Sequence, residues 1–281
     1  MSGHTVSGAT RLRCRGFVWL VATCLLAALP WAQAGQGPGL SPQTYQQLTA
    51  IHELIDAGKT GAALARLGEL LKSVGQRSYE RAVVLQNLGH VQASRGEYGA
   101  ATRSLAESLS LKSLPETTEQ QMRYNLAQLY LASEEPARAI TLLEAWFGQA
   151  ESPPASAWLL LGHTHAELGN YRKAIPAMKR AIELSDSPQA DWYENLLAMH
   201  YELREFRDCA ALLERMIRLF PDRDDYWRQL SGIRMTLNQP AQALAVMELM
   251  MRSGRLTREP ELVQLARLYL YQEIPYKAAR L

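Results

Sequence analysis

At 281 residues, 47% hydrophobic and 21% charged, the chain has ample apolar material for a sizeable core. Thirty basic side chains nearly balance 28 acidic ones, for a net charge of +2. That balance excludes the concentrated positive footprint of a nucleic-acid-binding protein.

Residues 1–34 read as a signal peptide. Arg11, Arg13 and Arg15 form a basic start, and Gly16 to Leu29 is apolar without a charge. Pro30 and then Ala32-Gln33-Ala34 supply the A-x-A pattern of a signal-peptidase site, so cleavage is expected after Ala34. The apolar stretch falls short of the roughly 20 residues a spanning helix needs. A retained N-terminal anchor is the alternative. Lipid attachment at Cys24 is disfavoured, because Thr23 occupies the small-residue position before it and the apolar run continues beyond. Cleavage would remove three arginines and no acids, turning the net charge from +2 to −1. Cys14 and Cys24 would leave too, so Cys209 stands alone and no internal disulfide can form.

Residues 35–43 read as a linker, and 44–281 as helix pairs in one register. A small residue recurs at Ala63, Ala101, Ala139, Ala174, Cys209, Ala243 and Ala278, with successive gaps of 38, 38, 35, 35, 34 and 35. Unit 44–77 carries Gly58, Ala63 and Leu67. Unit 82–115 has Leu88-Gly89, Gly96, Tyr98, Ala101 and Leu105, and unit 120–153 has Leu126-Ala127, Tyr130, Ala139 and Leu143. Unit 155–188 is the clearest, with Trp158, Leu161-Gly162, His165, Gly169, Tyr171, Ala174, Met178 and Ala181. Unit 190–223 has Leu196, Phe206, Cys209, Leu213 and Pro221. Unit 224–257 has Trp227, Leu230, Ala243 and Met247. A partial unit, 258–281, holds Leu265-Ala266, Tyr269 and the opening of one more helix.

These units resemble tetratricopeptide (TPR) repeats, whose period is about 34 residues and whose pattern is W-x2-L-G-x2-Y, then A-x3-F and A. His165 stands for the Tyr and Met178 for the Phe. The expected fold is an all-α, right-handed TPR solenoid of about six helix-pair repeats plus a truncated seventh. One helix pair cannot bury its apolar face alone, so neighbours stack, and the recurring small residue lets the two helices of a unit cross closely. Because the last unit stops inside its second helix, the protein is expected to continue beyond Leu281, rather than to end under a partner or a second copy.

With the small residue at position 20 of each unit, positions 2, 5, 6 and 9 of the first helix are expected to line a concave face. Position 6 reads Thr49, Asn87, Asn125, Leu160, Asn195, Gln229 and Gln264. Five of the seven are carboxamides, each offering a donor and an acceptor that suit the backbone of an extended peptide. TPR proteins use such an asparagine ladder, which is what the resemblance implies for Asn87, Asn125 and Asn195. An ordinary solvated polar face is the competing reading. Position 9 reads His52, His90, Gln128, His163, Ala198, Gly232 and Arg267. Protonated histidines there would bind carboxylates and make the groove sensitive to pH. No metal is expected, since equivalent positions of stacked repeats lie on the order of ~10 Å apart.

Two apparent motifs fail. His163-Thr-His165 is no ligand pair, because residues two apart on a helix face different sides. His52-Glu53-Leu54-Ile55-Asp56 begins like a zincin helix but has Asp56 where the second His belongs. Trp146, Trp158, Trp192 and Trp227 fall on packing positions, as do Met247 and Met250, whereas Met251 completes a cluster that could present a soft surface. There is no glycine-rich phosphate loop, no G-x-S-x-G and no Cys-His arrangement around Cys209. No enzymatic activity and no cofactor are therefore expected.

Several longer stretches carry a narrower resemblance. They are Ala50 to Ala57, Leu114 to Ala132, Asp191 to Leu203, Tyr226 to Gly232 and Ile274 to Leu281. Together they resemble the exported TPR proteins that accompany TonB-ExbB-ExbD-type energy-transduction systems in Gram-negative bacteria. The resemblance implies a periplasmic accessory protein that contacts TonB, ExbB or ExbD and meets the membrane only through those partners. Two alternatives stay open: an assembly scaffold for envelope polysaccharide, pilus or outer-membrane machinery, and the accessory domain of an enzyme whose catalytic part lies beyond Leu281.

Overall fold

The computed structural model describes residues 39–76 and 78–281. The signal peptide and its cleavage site, with most of the linker, lie outside the described residues. Among those described, every regular element is a helix. The chain divides into two compact units, with the division falling after Glu151 in the sequence.

The first unit holds α1 (Pro42–Asp56), α2 (Thr60–Ser73), α3 (Tyr79–Ser94), α4 (Tyr98–Ser110), α5 (Glu116–Ala132) and α6 (Pro136–Phe147). The second holds α7 (Ala155–Glu167), α8 (Tyr171–Leu184), α9 (Ala190–Glu202), α10 (Phe206–Leu219), α11 (Asp224–Thr236) and α12 (Pro240–Arg252), then α13 (Glu259–Tyr271) and the short α14 (Pro275–Ala278). Each expected unit is one helix pair, and within each compact unit the main packing is between helices consecutive in sequence.

The first three units begin earlier than the repeat register predicts, because local capping sets the start. Ser41 Oγ accepts from the Thr44 N–H at 3.3 Å with Pro42 at the first helical position, and Ser78 Oγ accepts from the Arg81 N–H at 3.1 Å. In α5, Glu116 and Glu119 sit in a first turn whose positive helix end favours them, and the helix starts at Glu116 rather than 120.

The turn inside every pair is the same device. Gly58, Gly96, Glu134, Gly169, Arg204, Asn238 and Glu273 all take a left-handed φ between 56° and 76°. The next N–H then reaches back to cap the first helix: Lys59 to the Leu54 carbonyl at 2.8 Å, Glu135 to Tyr130 at 2.8 Å and Glu205 to His200 at 2.9 Å. Three of the seven are glycine, for which this conformation carries no Cβ penalty. Glu134, at φ 60°, carries that penalty. Glu134→Gly is accordingly expected to raise stability by about 1 kcal/mol, read as a higher urea midpoint at unchanged m-value.

The recurring small residues are where the helices of a pair cross. Ala63, Ala101, Ala139, Ala174, Cys209 and Ala243 are fully buried, whereas Ala278, beside the four-residue α14, is half-buried. On the facing helix, a Cβ on Gly162 would lie 3.3 Å from the Met178 backbone N, and one on Gly89 would lie 2.6 Å from the Leu105 side chain. Around these crossings the first unit builds a core from Leu48, Ile51, Leu67 and Val84. In the second, Met178, Tyr193, Leu213 and Tyr226 form one cluster, while Met247, Met250, Leu265 and Tyr269 form another. Met251 is 44% exposed, so the expected division of the Met cluster holds. Trp158, Trp192 and Trp227 pack half-buried against the first of those clusters, and Trp146 lies 5.0 Å from the Tyr124 ring.

Candidate partner-binding face

Positions 6 and 9 of the first helix of each pair do share a face, but the two rows are not independent. His52 Nε2 lies 2.8 Å from Asn87 Oδ1, and Asn87 Nδ2 donates to the Val83 carbonyl at 2.8 Å. At this junction position 9 of one repeat thus meets position 6 of the next, whereas His90 and Asn125 at the following junction make no such bond. His52 and Asn87 form a rung between repeats, and Asn87, only 9% exposed, has its amide committed on both sides. Its expected role as a donor and acceptor for a bound backbone is taken over by the repeat junction.

The remaining candidates differ in access. Asn125 is half-buried and accepts from Gln121 Nε2 at 3.0 Å. Gln128 and Asn195 are half-buried too, whereas Gln229 and Gln264 are exposed. His90 is partly enclosed, and its Nε2 is buried without a hydrogen-bond partner. His163 is 7% exposed and its neighbour His165 is 6% exposed. Both rings are packed inside, so His163 is not open to a bound chain in the way its place in the position-9 row suggested.

Burial also corrects the idea of protonated histidines gripping carboxylates. Desolvation lowers the pKa of His90, and it lowers that of His163 to about 4. Both rings are neutral at pH 7.

The rung changes character in the second unit. Ala198 on α9 occupies position 9 and Gln229 on α11 position 6, the places held by His52 and Asn87 one junction type earlier. Both line an open cavity of about 370 Å³, with Leu197 and Tyr201 on the same side. Glu194, Glu202, Arg223 and Asp225 complete the lining. Glu194 Oε1 accepts from Tyr226 Oη at 2.6 Å and from Arg223 Nη2 at 2.6 Å, and the Arg223 guanidinium lies 5.2 Å from the centre of the Tyr226 ring. Burial and the Glu194 carboxylate push the Tyr226 hydroxyl upward, so it remains a donor at neutral pH. The sequence reading singled out Gln229 but not the cavity. The signal available for it was the break in the position-9 row, where bulky polar residues give way to Ala198 and Gly232.

A second cavity, of about 320 Å³, holds a group the sequence reading passed over. His200, Glu205 and Asp208 offer ligand atoms all within 4.8 Å of one another, a set that could hold a metal ion. His200 fills the Tyr slot of its repeat and is 4% exposed, with Nδ1 2.6 Å from Glu205 Oε2. Arg172 and Lys179 line the same cavity and offset its acidic charge. Nearby Cys209 is fully buried, with Sγ 3.9 Å from the Leu197 carbonyl. Burial and Asp208 push its thiol up to about 11, leaving it protonated and inert at neutral pH. No described helix is long and apolar enough to cross a membrane.

The tetratricopeptide repeat family model matches residues 121–196. Among curated protein sequences, none matches. Among solved structures, a tetratricopeptide repeat protein from Parabacteroides merdae is similar at 16% identity and a TM-score of 0.53, covering 85% of this chain and 90% of that one. MamA from Desulfovibrio magneticus RS-1 is similar at 20% identity and a TM-score of 0.53, covering 66% of this chain and 99% of that one. A double mutant of MamA matches over the same shares at 20% identity and a TM-score of 0.54. The helix pairs, the fixed crossing slot and these matches show that the chain has an all-α TPR solenoid fold.

Proposed function

We propose that this protein is a non-enzymatic scaffold that binds protein partners through the first-helix face of its repeats. The observation that carries the reading is the open cavity between α9 and α11, where the histidine of the inter-repeat rung is replaced by Ala198 and exposed groups are left unfilled. We further propose that the protein is exported to the periplasm by its signal peptide and serves a TonB-dependent energy-transduction system. That narrower reading is supported by the sequence stretches that resemble the exported proteins accompanying such systems.

A photo-crosslinking residue placed at Gln229, and a control at Arg180 on α8, would test both parts in cells. Capture of TonB, ExbB or ExbD from Gln229 alone is the expected result. Capture of polysaccharide, pilus or outer-membrane assembly proteins would keep the scaffold and move it to another machine. Capture from Arg180 but not from Gln229 would sink the first-helix face as the binding element.

A further inference from the structure

We infer that the cavity beside Ala198 and Gln229 takes a basic side chain, Arg or Lys, of a bound polypeptide. This inference rests on the binding-face reading above and names the chemistry of its partner.

The cavity owes its existence to a missing side chain. In the first unit the same pair of positions is filled by an imidazole bonded to an amide at 2.8 Å. Here Ala198 ends at its Cβ, and a Cβ built on Gly232, the position-9 residue of the following helix, would meet nothing within 4 Å. The amide of Gln229 therefore faces open space rather than a rung partner.

Charge then selects the occupant. Three carboxylates, Glu194, Glu202 and Asp225, line the cavity against the single guanidinium of Arg223. Arg223 is already engaged, at 2.6 Å from Glu194 and 3.5 Å from Asp225. Glu202 has no ion-pair partner among the described residues. An acidic side chain entering here would meet uncompensated negative charge, whereas a basic one would find a free carboxylate and the Gln229 carbonyl oxygen. The walls suit its shape as well. Leu197 and Ala198 offer apolar surface for a methylene stem, and the Tyr201 ring, 57% exposed, offers a face for a cation. The Tyr226 and Arg223 contacts hold Glu194 in place beforehand, so little side-chain ordering remains for binding to impose.

The test selects a displayed random 12-residue peptide library on the chain from Gly35 to Leu281, then measures the enriched peptides by fluorescence anisotropy. Enrichment of Arg or Lys at one fixed position is expected, with at least tenfold weaker binding to Ala198→His and to Glu202→Lys. Ala198→His is expected to fold, since it restores the rung seen between His52 and Asn87. Glu202 is exposed, so the second variant does not depend on that repacking. Peptides anchored by acidic or uncharged side chains, yet blocked by Ala198→His, would overturn the basic occupant and leave the binding face standing. Peptides indifferent to both folded variants, or no enrichment at all, would overturn both readings.

Discussion

Ala174→Leu is expected to destabilise the second unit by at least about 3 kcal/mol, toward the upper end of what overpacking costs. Ala174 is fully buried where α7 and α8 cross, and its carbonyl oxygen would lie 3.5 Å from a Cβ on Gly162. At Gly162 the nearest atoms of α8 are backbone atoms of Ala174 and Met178, so the crossing is already close and has no flexible side-chain end there to give way. Separating the helices would also uncover Met178 and Leu159, which pack into the same cluster. Cys209→Ala is the control, since it places in the same slot the residue the other repeats carry. It should cost under about 1 kcal/mol. Urea unfolding followed by tryptophan fluorescence reads both, with Trp158, Trp192 and Trp227 reporting from this unit. Equal midpoints for Ala174→Leu and the parent would mean that the crossing is looser than its geometry.

The second large effect is a loss of stability on mild acidification. Burial lowers the His163 pKa from 6.5 to about 4, so the unfolded chain takes up a proton that the folded chain refuses. Stability is then complete above pH 6.5 and falls as the pH drops from 6.5 toward 4. Linkage gives a loss of roughly 2 kcal/mol at pH 5 from this one ring, and His90, lowered for the same reason, acts in the same direction. Glu80, Glu248 and Glu261 have carboxyls held below their usual 4.5. They lose stabilisation only at lower pH, so the interval from 6.5 to 5 isolates the histidines. Urea midpoints at pH 7 and pH 5 should differ in the parent and differ less in His163→Gln, where only His90 is left to act. A midpoint that does not move with pH in the parent would mean that the ring is solvated.

The repeat architecture was legible because its signal is periodic. A small residue every 34 to 38 positions needs no side-chain detail to be recognised, and it located each helix crossing. Starts of the early helices were less legible, since Ser41 and Ser78 act through single local hydrogen bonds that lie outside the period. The candidate site was legible by position and not by state. Sequence order placed His52 and Asn87 in separate rows, while stacking joins them. The rows also could not reveal that His163 is enclosed by packing, or that replacing one histidine with Ala198 opens a cavity. His200, Glu205 and Asp208 escaped notice because a turn, not a helix period, brings them together.

Packing between consecutive helices has a consequence for how fast the chain acquires its structure. In each compact unit the principal contacts join helices separated by one short connection, so no strand of chain must search for a distant mate. Loop closure stays inexpensive at every step, and low contact order places such folds in the microsecond-to-millisecond range. The main phase of refolding from urea should therefore lie in the millisecond range, with slower phases left to the X-Pro bonds, so that apolar faces stay bare only briefly.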